Sequence, residues 1–98
     1  MRDILKAFLL LVLLVTLASC GGATLAQKKD ESDIHYRLGI VHLNEGDVTG
    51  ALRELTRAVE IYPDDPSYRN ALGLAYLARG MNVEAKAEMK KAIELKSD

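Results

Sequence analysis

The stretch Leu38-Gly39-Ile40-Val41-His42-Leu43-Asn44-Glu45-Gly46 decides the fold, because it returns in altered form as Leu72-Gly73-Leu74-Ala75-Tyr76-Leu77-Ala78-Arg79-Gly80. The shift that carries Leu38 onto Leu72 aligns residues 32–65 with residues 66–98. Identical matches include Leu38/Leu72, Gly39/Gly73, Leu43/Leu77, Gly46/Gly80, Ala51/Ala85, Glu54/Glu88, Ala58/Ala92 and Glu60/Glu94. Others match in kind, among them His42/Tyr76, Leu55/Met89, Val59/Ile93 and Ile61/Leu95. Self-similarity at a fixed period of 20 to 50 residues marks a repeat array, in which each unit buries its apolar face only against its neighbours.

Each copy reads as two helices. Ile34, Leu38, Val41 and His42 recur at three- and four-residue spacing, which predicts one apolar helix face. Gly46-Asp47 breaks that helix, and a second stripe follows at Ala51, Leu52, Leu55, Ala58, Val59 and Tyr62. Pro63 and Asp64-Asp65-Pro66 end it, with Asp65 placed to cap the next helix and Pro66 at its first position. Leu72, Ala75 and Tyr76 carry the third helix, which Arg79-Gly80 closes. Asn82 is placed to cap a fourth helix, whose stripe is Val83, Ala85, Met89, Ala92 and Ile93. A glycine inside a helix costs about 1 kcal/mol against alanine. Gly39 and Gly73 therefore imply close approach of the partner helix, expected opposite Ala51 and Ala85.

This 34-residue unit resembles the tetratricopeptide repeat, a helix–turn–helix with a Trp-x2-Leu-Gly-x2-Tyr…Ala-x3-Phe…Pro pattern. The first copy offers His35-x2-Leu38-Gly39-x2-His42, Ala51-x3-Leu55, Ala58 and Pro63; the second offers Arg69-x2-Leu72-Gly73-x2-Tyr76, Ala85-x3-Met89 and Ala92. The departures are His35 and Arg69 for the aromatic, His42 for Tyr, and Ser97 where the closing Pro would fall. The resemblance implies an all-α fold: repeat 1 over residues 32–65 and repeat 2 over 66–98, forming a short right-handed α-solenoid. It further implies a concave partner-binding groove lined by the first helix of each repeat. Here that groove is Tyr36, Ile40, Leu43 and Asn44, then Asn70, Leu74, Leu77 and Ala78. Chaperone-binding members place lysines there to clamp a carboxylate. These positions hold none and are mostly apolar, so an extended or helical apolar segment is the expected ligand. The alternative that the apolar members merely pack between repeats stays open.

The rest of the chain is a leader. Fifteen of the residues from Met1 to Cys20 are hydrophobic, against 33 of the remaining 78. Arg2 and Lys6 outweigh Asp3 at the start, and an apolar run from Ala7 to Val15 is shorter than the ~20 residues a bilayer-spanning helix needs. Charged start, short apolar run and small residues are the layout of a secretory signal peptide, expected over residues 1–19. Leu17-Ala18-Ser19-Cys20-Gly21 looks like a bacterial lipobox. That resemblance implies cleavage before Cys20, a diacylglycerol on its sulfur and an acyl chain on its amine. Two or more chains anchor stably where one does not. Gly21 in place of Asp leans toward the outer membrane, facing the periplasm. The polar run to Glu31 reads as a flexible tether over residues 20–31, reaching roughly 35 Å when extended.

Charge and motif narrow the function. Lys+Arg number 13 and Asp+Glu 14, a net charge of -1, which argues against a chain whose main work is holding nucleic acid. The single Cys excludes an internal disulfide framework. His35 and His42 stand seven apart, two turns or about 10 Å along a helix, and cannot share a metal. Asp64-Asp65 reads as a turn and cap. No catalytic constellation, metal site or cofactor loop is evident, so neither enzyme nor cofactor is expected.

Lipobox, tether and repeats together resemble the type IV pilus biogenesis and stability lipoproteins, or pilotins, which assist the secretin. The expectation is a lipid-anchored adaptor that recruits an envelope protein segment, with a secretin or pilus-assembly protein as the named example. Two repeats fall short of the three or so that an array usually needs. Met89, Ile93 and Val83 on the last helix are therefore expected to lie partly uncovered. Three accounts remain open: a piece of a longer array, self-association or partner binding through the last helix, or marginal stability alone.

Overall fold

The computed structural model describes residues 1–19 and 22–97, with side chains described except at 16–19. All the described secondary structure is helical: α1 (Arg2–Ser19), α2 (Leu25–Asn44), α3 (Val48–Ile61), α4 (Pro66–Arg79) and α5 (Asn82–Ser97). α2 packs on α3 and α4 on α5, making two helical hairpins. α3 packs on α4 to join them, and α2 also touches α4. α1 is not among the packed pairs. Among the described residues no helix is long and apolar enough to cross a membrane. Cys20 lies outside the described residues.

Local chemistry sets the helix ends. Gly46 and Gly80 both adopt positive φ, 78° and 82°, the left-handed conformation that a side chain disfavours. Asp47 caps α3 by accepting from the Gly50 N–H at 2.9 Å. Asp65 caps α4 by accepting from Ser67 N–H at 2.8 Å and Tyr68 N–H at 3.4 Å, with Pro66 following at the first position. At α5 the expected cap is displaced by one residue. Ala85 N–H bonds the Met81 carbonyl, so Met81 rather than Asn82 occupies the cap position.

The expected tether needs correction. Helix α2 starts at Leu25, well before the repeat boundary at Ser32, so residues 25–31 are helix. A capping box begins it: Gln27 N–H donates to Thr24 Oγ1 at 3.2 Å and Thr24 N–H donates to Gln27 Oε1 at 2.8 Å.

The core is Ala51, Leu55, Ala58 and Val59 of α3 with Tyr68, Ala71, Leu72 and Ala75 of α4. Tyr36, Ile40, Leu43, Leu52, Tyr62 and Tyr76 pack around it half-buried. Here the expected stripe of α2 is overturned. Ile34, Leu38 and Val41 are exposed, and the face α2 turns inward carries Gly39, Ile40, Tyr36 and Leu43. The tight approach at Gly39 is real but is made by another residue. A Cβ there would meet Leu55 Cδ2 at 2.6 Å, so Leu55 rather than Ala51 fills the space. At Gly73 a Cβ would meet Met89 Cγ at 2.9 Å and the Ala85 carbonyl at 3.3 Å. Ala85 and Ala92 are the buried residues of α5, while Val83 and Ile93 are exposed.

Candidate functional site: the face shared by α2 and α4

Tyr36, Ile40 and Leu43 recur at i, i+4 and i+7 on α2, and Asn70, Leu74 and Leu77 stand one repeat later on the same face of α4. The two sets sit differently. Those of α2 are half-buried because α4 lies beside them. Those of α4 are exposed, with Leu74 at 46% and Leu77 at 45%, and Asn44 and Ala78 are exposed too. The face is therefore a shallow apolar strip, packed at its α2 side and open at its α4 side.

A polar cluster that the sequence reading missed sits at one end of this strip. Lys29, in the extra turns of α2, places Nζ 2.7 Å from Asp65 Oδ2 and donates to Tyr68 Oη at 2.8 Å. The ammonium also lies 4.4 Å from the Tyr68 ring centroid and 5.4 Å from that of Tyr62. Tyr36 packs on Tyr68 with ring centroids 5.0 Å apart, and Tyr68 Oη donates to Asp33 Oδ1 at 3.4 Å. Burial pushes the Asp65 carboxyl up. The Lys29 ammonium and the capped N–H groups of Ser67 and Tyr68 more than reverse this, and Asp65 titrates below the ordinary carboxylate value. Hydrogen bonds to Asp65 and Tyr68 raise Lys29 in turn, and burial raises Tyr68. The Lys29 cation at this end of the strip is thus already neutralised by the protein's own carboxylate. The signal for it was present as Thr24-x-x-Gln27, a capping box in a run with no apolar periodicity to flag a helix.

The positions where the repeat pattern carries an aromatic hold side chains bound to a glutamate. His35 Nδ1 lies 2.7 Å from Glu54 Oε2. The same positions in the second repeat hold Arg69 Nη1 at 2.9 Å from Glu88 Oε2. The His35 hydrogen bond lowers the Glu54 pKa. His42 Nδ1 lies 3.0 Å from Asp47 Oδ2. The His35 hydrogen bond thus joins α2 to α3, whereas His42 Nδ1 is buried beside Asp47 without a hydrogen bond to it.

A family model described as "Tetratricopeptide repeat" matches residues 22–66 and again 36–98. A TPR repeat-containing protein of Pseudomonas aeruginosa is 40% identical over 63 residues, 64% of this chain and 26% of the relative. A protein of Arabidopsis thaliana named as a CTR9 homolog is 34% identical over 61 residues, 62% of this chain and 6% of the relative. The chain thus spans about a quarter or less of the length of these curated relatives. No solved structure matches it significantly.

Proposed function

The chain belongs to the tetratricopeptide repeat family, whose repeats are protein-interaction scaffolds, and on that premise we propose that it is a lipid-anchored adaptor of the bacterial envelope. The observation that carries the binding role is the half-exposed pair Leu74 and Leu77, continuing the line of Tyr36, Ile40 and Leu43. A strip of large apolar side chains left open to water suits an apolar partner segment. The segment lies along α4 and meets α2 at Asn44 and Leu43. The lipobox-like Leu17-Ala18-Ser19-Cys20 supports anchoring through Cys20, with positions 1–19 as the signal peptide and the outer membrane as destination. Residues 22–24 are then all that separates the lipidated end from the first turn of α2 among the described residues, so the repeats stand close to the bilayer.

Within that role, a secretin subunit or pilus-assembly protein is the named partner class, on the likeness of the lipobox-plus-repeat layout to pilotins. The test pairs two variants. Cys20→Ala should release the protein from the membrane fraction and abolish palmitate labelling. Leu74→Asp with Leu77→Asp should abolish capture of a purified secretin subunit while leaving helical content unchanged. Membrane partition that survives Cys20→Ala refutes the anchor. Capture that survives the α4 substitutions refutes the strip, and no capture by the parent chain refutes the secretin reading.

A further inference from the structure

The joint between α3 and α4 offers a template for a second joint. On α4, Tyr68, Leu72 and Ala75 are 1%, 3% and 0% exposed in the core shared with α3. Their equivalents one repeat earlier are Ile34, Leu38 and Val41 of α2, which are 60%, 44% and 49% exposed. The apolar chemistry is retained, and among the described residues no helix covers it. The complementary half is missing its partner too. On α3, Leu55 and Val59 are 0% and 8% exposed; on α5 their equivalents are Met89, half-buried, and Ile93, 66% exposed. One end of the molecule thus presents an α4-like face and the other an α3-like face, each without its mate among the described residues.

We propose that these two faces mate between copies: α5 of one molecule docks on α2 of the next, in the geometry by which α3 docks on α4. Charge favours this pairing over α5 with α5 or α2 with α2. Around the α5 face, Lys86, Lys90 and Lys96 replace Leu52, Thr56 and Tyr62 of α3. On the turns of α2 that bear Ile34, Asp30, Glu31 and Asp33 outnumber Arg37, and Lys29 is already held by Asp65. In the internal joint Tyr62, at the end of α3, meets Tyr68, at the start of α4, edge to face at 6.5 Å. Lys96 is accordingly brought to the turn of the next α2 that carries Asp30, Glu31 and Asp33. At the other end Arg79 Nη2 donates to Thr49 Oγ1, and Glu45 replaces Arg79 on α2, within reach of Lys86 one turn along. Two α5 faces would instead bring together Lys86, Lys90 and Lys96 from both sides, against a single Glu94 on each. Arg37 takes the place of the buried Ala71, but it is already paired with Asp33 at 2.9 Å and its long side chain can lie outward over the joint. Such a contact is head to tail, so it builds an open stack and not a closed dimer.

The test is sedimentation of the full-length chain in density-matched detergent, which covers α1. The parent chain should show mass rising with concentration. Leu38→Asp and Ile93→Asp, both at exposed positions, should each give a monomer of unchanged helical content. Mixed one to one they should form a dimer that grows no further, because each supplies the face the other lacks. Leu38→Asp, outside the strip of Tyr36, Ile40, Leu43, Leu74 and Leu77, should lose stacking while keeping partner capture, which separates this proposal from the groove reading. A parent chain monomeric up to about 1 mM, the weak end of specific affinity, overturns it. So does association that survives Leu38→Asp, which would mean pairing through α5 or α1, or a mixture that stays monomeric.

Discussion

Lys29 Nζ and Asp65 Oδ2 lie 2.7 Å apart although 36 residues separate them along the chain, and this contact ties the extra turns of α2 to the turn between the repeats. Without it, residues 25–31 are a polar helix end with only Lys29 half-buried. Polar helix ends fray when nothing packs on them. Lys29→Met removes two hydrogen bonds, one to a charged acceptor, and should cost about 1 kcal/mol, discounted for the partial exposure of the lysine. The signature is local. Amide exchange across 25–31 should rise far more than across α3, and a uniform rise over both would show that the contact has no such local role.

The pH dependence follows from the directions of the shifts. Asp65, Glu54 and Asp47 are all held below the ordinary carboxylate value; for Asp47 the chief cause is the Gly50 N–H. A depressed folded-state pKa contributes stability that is complete above the unfolded value, about 4, and is lost as pH falls through the folded one. Lys29 is raised, so its contribution is complete below its unfolded value, about 10.4, and is lost as pH rises through the folded one. Denaturant titrations across pH should therefore show a plateau with an acid limb beginning near pH 4. Asp65→Asn keeps a good capping residue but loses the charge, so it should lower the plateau and flatten that limb. A limb of unchanged steepness would remove Asp65 from the account.

How far the fold could be read in advance depended on whether a signal was local. Gly46, Gly80, Asp65 and Pro66 were legible because a positive φ or a cap is set by a few adjacent residues. The inward face of α2 was not. In a stacked array a first helix carries two apolar faces, one for its own partner and one for the preceding unit, and periodicity cannot tell which is covered. Ile34, Leu38 and Val41 form as good a stripe as Tyr36, Ile40 and Leu43, yet only the second set packs on the core. The groove residues were nominated by likeness to the repeat family. Their half-burial on α2 and exposure on α4 come from tertiary neighbours that no spacing encodes.

The two helix glycines should respond unequally to alanine. At Gly39 the added methyl would meet Leu55, which is wholly buried and wedged between α2 and the rest of the core. Overpacking of that kind costs roughly 1–3 kcal/mol and outweighs the ~1 kcal/mol gained in helix propensity. At Gly73 the nearest atom belongs to Met89, a flexible and only half-buried side chain. Gly73→Ala should thus be near neutral and Gly39→Ala clearly destabilising, as read from paired thermal melts. Equal losses would mean that the Ala85 carbonyl, at 3.3 Å, sets the limit at Gly73.

The two glutamate contacts standing where the repeat pattern has an aromatic should differ in strength. Arg69 and Glu88 have side chains each 15% exposed, and Arg69 Nε also donates to the Pro63 carbonyl at 3.1 Å. The guanidinium therefore pins α4 both to α5 and to the end of the preceding turn. His35 reaches Glu54 alone from a side chain 27% exposed. Arg69→Met strands the Glu88 carboxylate in a poorly hydrated place and should cost about 2–3 kcal/mol, whereas His35→Met should cost about 1 kcal/mol. Converting Glu88→Gln in the Arg69→Met background should recover part of the loss, because an amide is cheaper to leave unpaired than a carboxylate. A double variant no more stable than Arg69→Met would place the cost in the lost Pro63 contact and the missing side-chain packing.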